Sequence, residues 1–226
     1  MKSSPKSYGS IGENTTTPEW KRVRMNAFTS DATYQFEELW QRLESWLIRN
    51  ASEDHQALRP GATGAEISNL EREIGFSVND DLKLLLSKRN GVAPRRSSMQ
   101  AGAFLLGYSL LDTDGILEWQ RKLAAMSREA VEDGYEEEVV GLVAHERWVP
   151  FAQNLAGDLL FIDHRSDHYG DIGEISFGAP EFLWLWPGMR LMLHDLCDSV
   201  EGMSPLPRLG RRPAVHEGRM LEWGAA

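Results

Sequence analysis

Cysteine is almost missing from this chain: Cys197 is the one such residue in 226. That excludes an internal disulfide and removes any sign of an oxidising compartment, so the cytoplasm is the expected setting. Long apolar runs are missing too. None approaches the ~18 residues of a membrane-spanning helix. The opening "MKSSPKSYGSIGENTTTPEW" has two lysines but no apolar h-region, so no secretory signal is expected. Catalytic signatures are also lacking. There is no G-x-S-x-G, no Gly-rich phosphate loop and no dinucleotide fingerprint.

Cations are in deficit, with 24 Lys and Arg against 34 Asp and Glu and a net charge of -10. The deficit is uneven. Residues 1–24 hold five Lys/Arg and two Glu, a net of +3; residues 203–226 hold four Arg and two Glu, a net of +2; residues 25–202 therefore carry -15. A body that acidic disfavours nucleic acid, because phosphate contacts need cationic surface. It suits a basic protein partner, or merely aids solubility. A hydrophobic content of 42% and a charged content of 26% fit one globular domain able to build a core without metals or disulfides.

Residues 1–24 are rich in Ser, Thr, Gly and Lys and read as a flexible tail. Phe36, Leu39, Trp40, Leu43, Trp46 and Leu47 recur at helical spacing, with Ser30 or Asp31 able to cap the start. Thr63 with Glu66 is a capping box; Ile67, Leu70 and Ile74 follow, and Gly75 ends that helix. Asn79 or Asp80 opens another, with Leu82, Leu85 and Leu86 inward and Gly91 as its stop. "AFLLGYSLL" reads as a buried strand. "DTDGILEWQRKLAAMSREAVEDG" reads as a helix facing inward through Ile116, Trp119, Leu123 and Met126. "WVPFAQN" and "DLLFIDH" read as two strands about a turn at Gly157, with Pro150 at a strand edge or start. "EISFG" and "FLWLW" suggest two more. Pro187 suits the first turn of a closing helix whose Met189, Leu193, Leu196 and Val200 face inward. Residues 203–226 read as a loosely held Pro- and Arg-bearing tail. Helices, then strands mixed with a helix, then a closing helix indicate an α+β domain over 25–202.

The candidate chemistry has ordinary readings. His164 and His168 lie near Asp163, Asp167 and Asp171, and imidazole and carboxylate are metal ligands. The stretch is polar and Gly-bearing, however, with no helix to align both rings, so it reads as a surface loop. Cys197 lies in an apolar stripe and reads as buried filler. Asp158 and Asp163 read as a turn acid and a strand-end acid rather than a catalytic pair. No catalytic residue, cofactor site or metal site is expected.

Together these stretches resemble the SUKH superfamily, named for a yeast cell-wall-assembly regulator and for bacterial immunity proteins. The resemblance runs from about Phe36 to Val200. It rests on "PGATGAEISNLEREIGFSVNDDLKLLLSKRNG", on "FLLGYSLLDTDGILEWQRKL", on "WVPFAQNLAGDLLFID" with Trp148, Pro150, Phe151, Gly157, Asp158 and Asp163, and on the helix from Pro187 to Val200. "FLWLWPG" is more apolar than the run usual before the family's closing helix. The resemblance implies a central, mostly antiparallel sheet wrapped by several helices in a single domain, and no enzymatic activity.

It also implies a binding role. The first expectation is an immunity protein that neutralises a cognate toxin, of nuclease or deaminase type, by binding it. A basic partner would meet Glu132, Asp133, Glu136, Glu137 and Glu138, and Asp163, Asp167 and Asp171. The alternative is a regulatory scaffold or adaptor docking through the tail at 204–219. An enzyme using a metal in the 163–171 loop is the third reading.

Overall fold

A computed structural model describes residues 35–135, 144–178, 181–207 and 209–226. Six helices and seven strands are seen among them. The helices are α1 (Phe36–Asn50), α2 (Ser52–Ala57), α3 (Gly64–Ile74), α4 (Asp80–Lys88), α5 (Thr113–Glu132) and α6 (Met189–Gly202). The strands are β1 (Ser109–Leu110), β2 (Trp148–Gln153), β3 (Leu159–Asp163), β4 (Ile172–Ser176), β5 (Glu181–Trp186), β6 (Arg211–His216) and β7 (Met220–Ala225). Strands β1 to β5 form one antiparallel sheet in sequence order, and β6 and β7 form a separate hairpin. The class is α+β. None of the described helices is long and apolar enough to cross a membrane.

The helix boundaries follow from local chemistry. Thr63 Oγ1 accepts from Glu66 N at 3.2 Å, and Glu66 Oε2 accepts from Thr63 N at 2.7 Å, so the capping box satisfies two N-terminal donors of α3. Gly75 ends that helix at φ 83°, a left-handed conformation that glycine adopts without strain. Asn79 Oδ1 accepts from Asp81 N and Leu82 N to start α4. Asn90 has a role that the sequence did not disclose: its Oδ1 accepts from Thr113 N at 2.8 Å, so the end of α4 helps cap α5 beside the N-cap Asp112. The first described helix begins after Gln35, which makes no side-chain cap; Ser30 and Asp31 lie outside the described residues.

Two expected elements differ. Of "AFLLGYSLL", only Ser109–Leu110 is strand. Leu106 at φ 57° and Gly107 at φ 90° fold 104–108 into a tight turn instead, although Phe104, Leu105, Leu106 and Tyr108 are all buried. Pro187 precedes α6 rather than entering its first turn, and Gly188 takes the N-cap position. Pro150 lies inside a strand, next to the irregularity between Pro150 and Ala152, where the ladder is already interrupted.

The sheet is covered on both faces, which explains why β2 and β3 are buried almost throughout. Alternation sorts their side chains. Val149, Phe151, Leu160, Ile162 and Ile172 join the large core with α1, α3, α4 and α6. Trp148, Leu159, Phe161 and Ile175 join a second cluster with Leu123 of α5, and Trp119 and Met126 pack against it. Trp148 therefore lies on the opposite face from Phe151, Leu160 and Ile162.

Residues 211–225 are a packed hairpin rather than a loose tail. Leu206, Met220 and Leu221 are buried. Asp54, itself 1% exposed, accepts from Leu221 N and from Gly102 N, both at 2.6 Å, tying the hairpin and the 93–103 loop to α2. Arg219 pairs with Glu53 at 2.8 Å, and Trp223 Nε1 donates to Phe104 O at 2.8 Å. The Pro and Arg content that suggested a tail belongs to a two-stranded ladder with one face on the core.

Candidate functional site

The loop between β3 and β4 carries most of the sequence-singled polar residues, and it is built inward. Asp163 is fully buried. Its carboxylate accepts from Trp148 Nε1 at 3.1 Å and from Arg165 Nε and Nη2 at 2.9 and 2.7 Å. A buried carboxylate is tolerated because it is paired and hydrogen-bonded in this way. Asp171 is also fully buried, with Oδ2 3.1 Å from His168 Nδ1. Neither aspartate presents a contact face, so the expectation that they meet a partner is corrected: both side chains hold the loop. Asp167 alone of the three is exposed, 3.5 Å from His168 Nε2.

The two histidines serve different neighbours. His164 Nε2 accepts from Asn79 N at 2.8 Å, which places the ring proton on Nδ1, donating to Ile162 O at 3.1 Å. The ring lies between Phe76 and Tyr169, and burial holds its pKa below the usual imidazole value. His168 instead stacks on Trp184 at 4.7 Å. With both nitrogens of His164 engaged by backbone, the two rings do not converge on a shared ligand position.

The fingerprint residues are likewise structural. Trp148 stacks on Phe161 at 4.2 Å. Gly157 turns at φ 96°. Asp158 accepts from Asn154 Nδ2 at 2.8 Å and from Phe177 N at 3.2 Å, joining the β2–β3 turn to the end of β4. Asp158 and Asp163 lie at opposite ends of β3, too far apart to act as a carboxylate pair. Cys197 is buried, its thiol pushed up to about 12 by burial, so thiolate chemistry is disfavoured at neutral pH.

Two open clefts carry charge. One, of about 520 Å³, lies between residues 92–95, β1 and the 153–155 turn, where Arg59 pairs with Asp112. Another, of about 240 Å³, is lined by Arg121, Arg128 and Arg147 with Glu73 and Glu146. Its guanidiniums are partly committed: Arg121 pairs with Glu73 at 2.6 Å, and Arg147 lies over the Phe76 ring at 4.6 Å.

The end of α5 differs from these settled places. Glu129 and Glu132 in its last turn and Asp133 at its C-cap are exposed, with no basic residue in that turn. Carboxylates there face the negative end of the helix dipole, the unfavourable arrangement. Val131 and Tyr135 beside them are 50% and 60% exposed. The sequence reading found the acids Glu132 and Asp133 but missed the two apolar side chains, whose exposure depends on how α5 meets the sheet. Glu136, Glu137 and Glu138 lie outside the described residues.

The family model that describes the SMI1 / KNR4 family (SUKH-1) matches residues 61–193, from the segment before α3 into α6. The chain belongs to this family. Among the relatives of this SUKH-1 chain is the cell wall biosynthesis/cell cycle regulator smi1 of Schizosaccharomyces pombe, 27% identical over 155 residues, which are 61% of this chain and 30% of that protein. Another is KNR4/SMI1 homolog 2 of Debaryomyces hansenii, 28% identical over 111 residues, 49% of this chain and 18% of the relative. The matched region thus spans less than a third of either relative. In the SUKH-1 chain, α1, α2 and the C-terminal hairpin lie outside the match to the family model and pack on the matched core.

Proposed function

We propose that this SUKH-1 chain is a non-catalytic protein-binding domain that engages a basic partner protein, with the exposed end of α5 as one contact. One observation carries the reading: Glu129, Glu132 and Asp133 oppose the helix dipole with no basic residue in that last turn, beside exposed Val131 and Tyr135. A cationic partner would relieve that opposition and cover the apolar side chains. Asp163, His164, His168 and Asp171 of the 163–171 loop are instead spent on holding the fold, with Asp167 left exposed.

Two uses fit such a domain. The name of the fission yeast relative, a cell wall biosynthesis/cell cycle regulator, favours a regulatory adaptor. The charge of -15 on residues 25–202 favours the immunity reading, in which an acidic surface occludes the basic face of a toxin domain. The adaptor's expected docking segment at 204–219 falls largely within the folded hairpin, which supports docking through the domain surface in both uses. The single cysteine supports a cytoplasmic setting.

The test is capture from source-cell extract by wild type and by the Glu129→Lys/Glu132→Lys/Asp133→Lys variant, followed by reconstitution with the purified partner. A basic partner lost by the variant is the expected result. A partner that is a toxin silenced in the complex marks immunity; a signalling protein that stays active marks an adaptor. Equal binding by both proteins would contradict the α5 contact.

A further inference from the structure

The cleft of about 240 Å³ between the end of α3, one side of α5 and the segment before β2 gathers three arginines in a chain that is otherwise strongly acidic. Gln120, Ala124 and Arg128 recur every four residues on α5, so they share one stripe along the cleft. Ala124 offers only a methyl between the two longer side chains, which leaves room there. Gln120 Nε2 donates to Glu146 O at 2.7 Å and anchors the facing segment. Arg147 N donates to His145 Nδ1 at 2.9 Å, and Arg147 O accepts from His164 N at 2.9 Å. From this anchored backbone Arg147 sets its guanidinium over the Phe76 ring, 4.6 Å from its centre. A contact made through the guanidinium face leaves the in-plane N–H donors open to an acceptor.

Charge on this lining is sorted. Arg121 pairs with Glu73 at 2.6 Å, and those two cancel. Among the described residues, neither Arg128 nor Arg147 has a carboxylate partner. Glu146 also lines the cleft, is exposed and pairs with neither of them. We infer that Arg128 and Arg147 form a binding site for a phosphate monoester. One guanidinium fork satisfies both oxygens of a carboxylate, whereas a phosphate monoester brings three acceptor oxygens and a charge of about -1.5 to -2, enough for two guanidiniums. The cleft is smaller than the roughly 300–1,000 Å³ of sites that enclose a whole small molecule, so it takes the phosphoryl group and leaves the rest of the ligand outside. Glu146 is the adverse group, a like charge at the rim. The phosphoryl group comes from a phosphorylated side chain of a partner or from a free phosphate; both present the same oxygens. The inference stands apart from the reading of the end of α5 as a contact for basic proteins.

The test is titration calorimetry of the full chain at physiological salt with three probes. These are inorganic phosphate, a short neutral peptide with blocked ends and one phosphoserine, and the same peptide with glutamate in place of the phosphoserine. At least one phosphate probe is expected to bind, and the glutamate peptide to bind about tenfold more weakly or not at all. Arg128→Gln and Arg147→Gln are each expected to weaken phosphate binding about tenfold, since each removes one charge-assisted fork. Arg128 is exposed on a helix, so its variant keeps the wild-type thermal transition and its loss of binding is not a loss of fold. Glu146→Gln is expected to tighten binding about threefold by removing the like charge. A phosphopeptide that binds more tightly than inorganic phosphate assigns the site to a phosphorylated partner; equal binding assigns it to a free phosphate. The proposal is overturned if neither phosphate probe binds, if the glutamate peptide binds as well as the phosphopeptide, or if Arg128→Gln and Arg147→Gln bind like wild type. None of these results alters the expectation for the acids at the end of α5, which partner capture tests separately.

Discussion

A carbon added at Gly173 would lie 2.4 Å from Cζ of Phe161, a ring with no solvent exposure that stacks on Trp148. Neither ring has room to move, so Gly173→Ala is expected to cost about 2 kcal/mol of folding stability by overpacking. Urea denaturation would measure it, and adding Phe161→Leu should recover part of the loss, as coupled neighbours do. His164 gives a pH-dependent expectation. Its folded pKa lies below its unfolded value of about 6.5, so the unfolded chain binds more protons as pH falls through that range. The stability that His164 contributes is present above pH ~6.5 and is lost as pH falls below it. His164→Ala should therefore cost about 1–3 kcal/mol at pH 7.5, where Asn79 N–H loses its acceptor. The gap between variant and wild type should narrow toward pH 5 in the same denaturation experiment. Both residues were visible in the sequence only as letters in a strand and a loop; the contacts that define them come from residues 12 and 85 positions away.

At the scale of elements, the signals that survived were local. Thr63 with Glu66, Asn79 and Gly75 act within one turn, so sequence and structure agree at α3 and α4. Periodicity located α1, α5 and α6, and the β2–β3 hairpin followed from Gly157 between two apolar runs. Misreadings arose where tertiary context ruled. The apolar run at 103–111 is buried but turns on Leu106 and Gly107, and the Arg- and Pro-bearing end at 211–225 is a hairpin because Asp54, Glu53 and Phe104 receive it. The candidate site was legible as acidic residues and illegible as geometry: sequence cannot show that Asp163 and Asp171 turn inward while Val131 stays out. A hairpin alone is marginal in water, so β6 and β7 are stable through these contacts. Ending the chain at Pro205 should lower the thermal midpoint by several degrees or more, since it strips Leu221 from the core and leaves the buried Asp54 with one fewer donor. Thermal unfolding followed by circular dichroism would check this.

For the whole molecule, charge decides the behaviour. On the proposed reading, a body at -15 would attract a basic protein from a distance, and that attraction would be screened over about 8 Å at physiological salt. The sheet needs both faces covered to bury β2 and β3, which commits α5 to one face while its acidic end stays exposed. Glu129, Glu132 and Asp133 are thereby exposed together at the end of α5. The most direct measurement is the association rate of the purified partner with wild type and with Glu129→Lys/Glu132→Lys/Asp133→Lys across a salt series. The account predicts that association with wild type slows about tenfold or more from low to high salt, and that the variant is slow throughout while its thermal transition is unchanged. An acidic partner, a rate indifferent to salt, or a variant that associates as fast as wild type would contradict it.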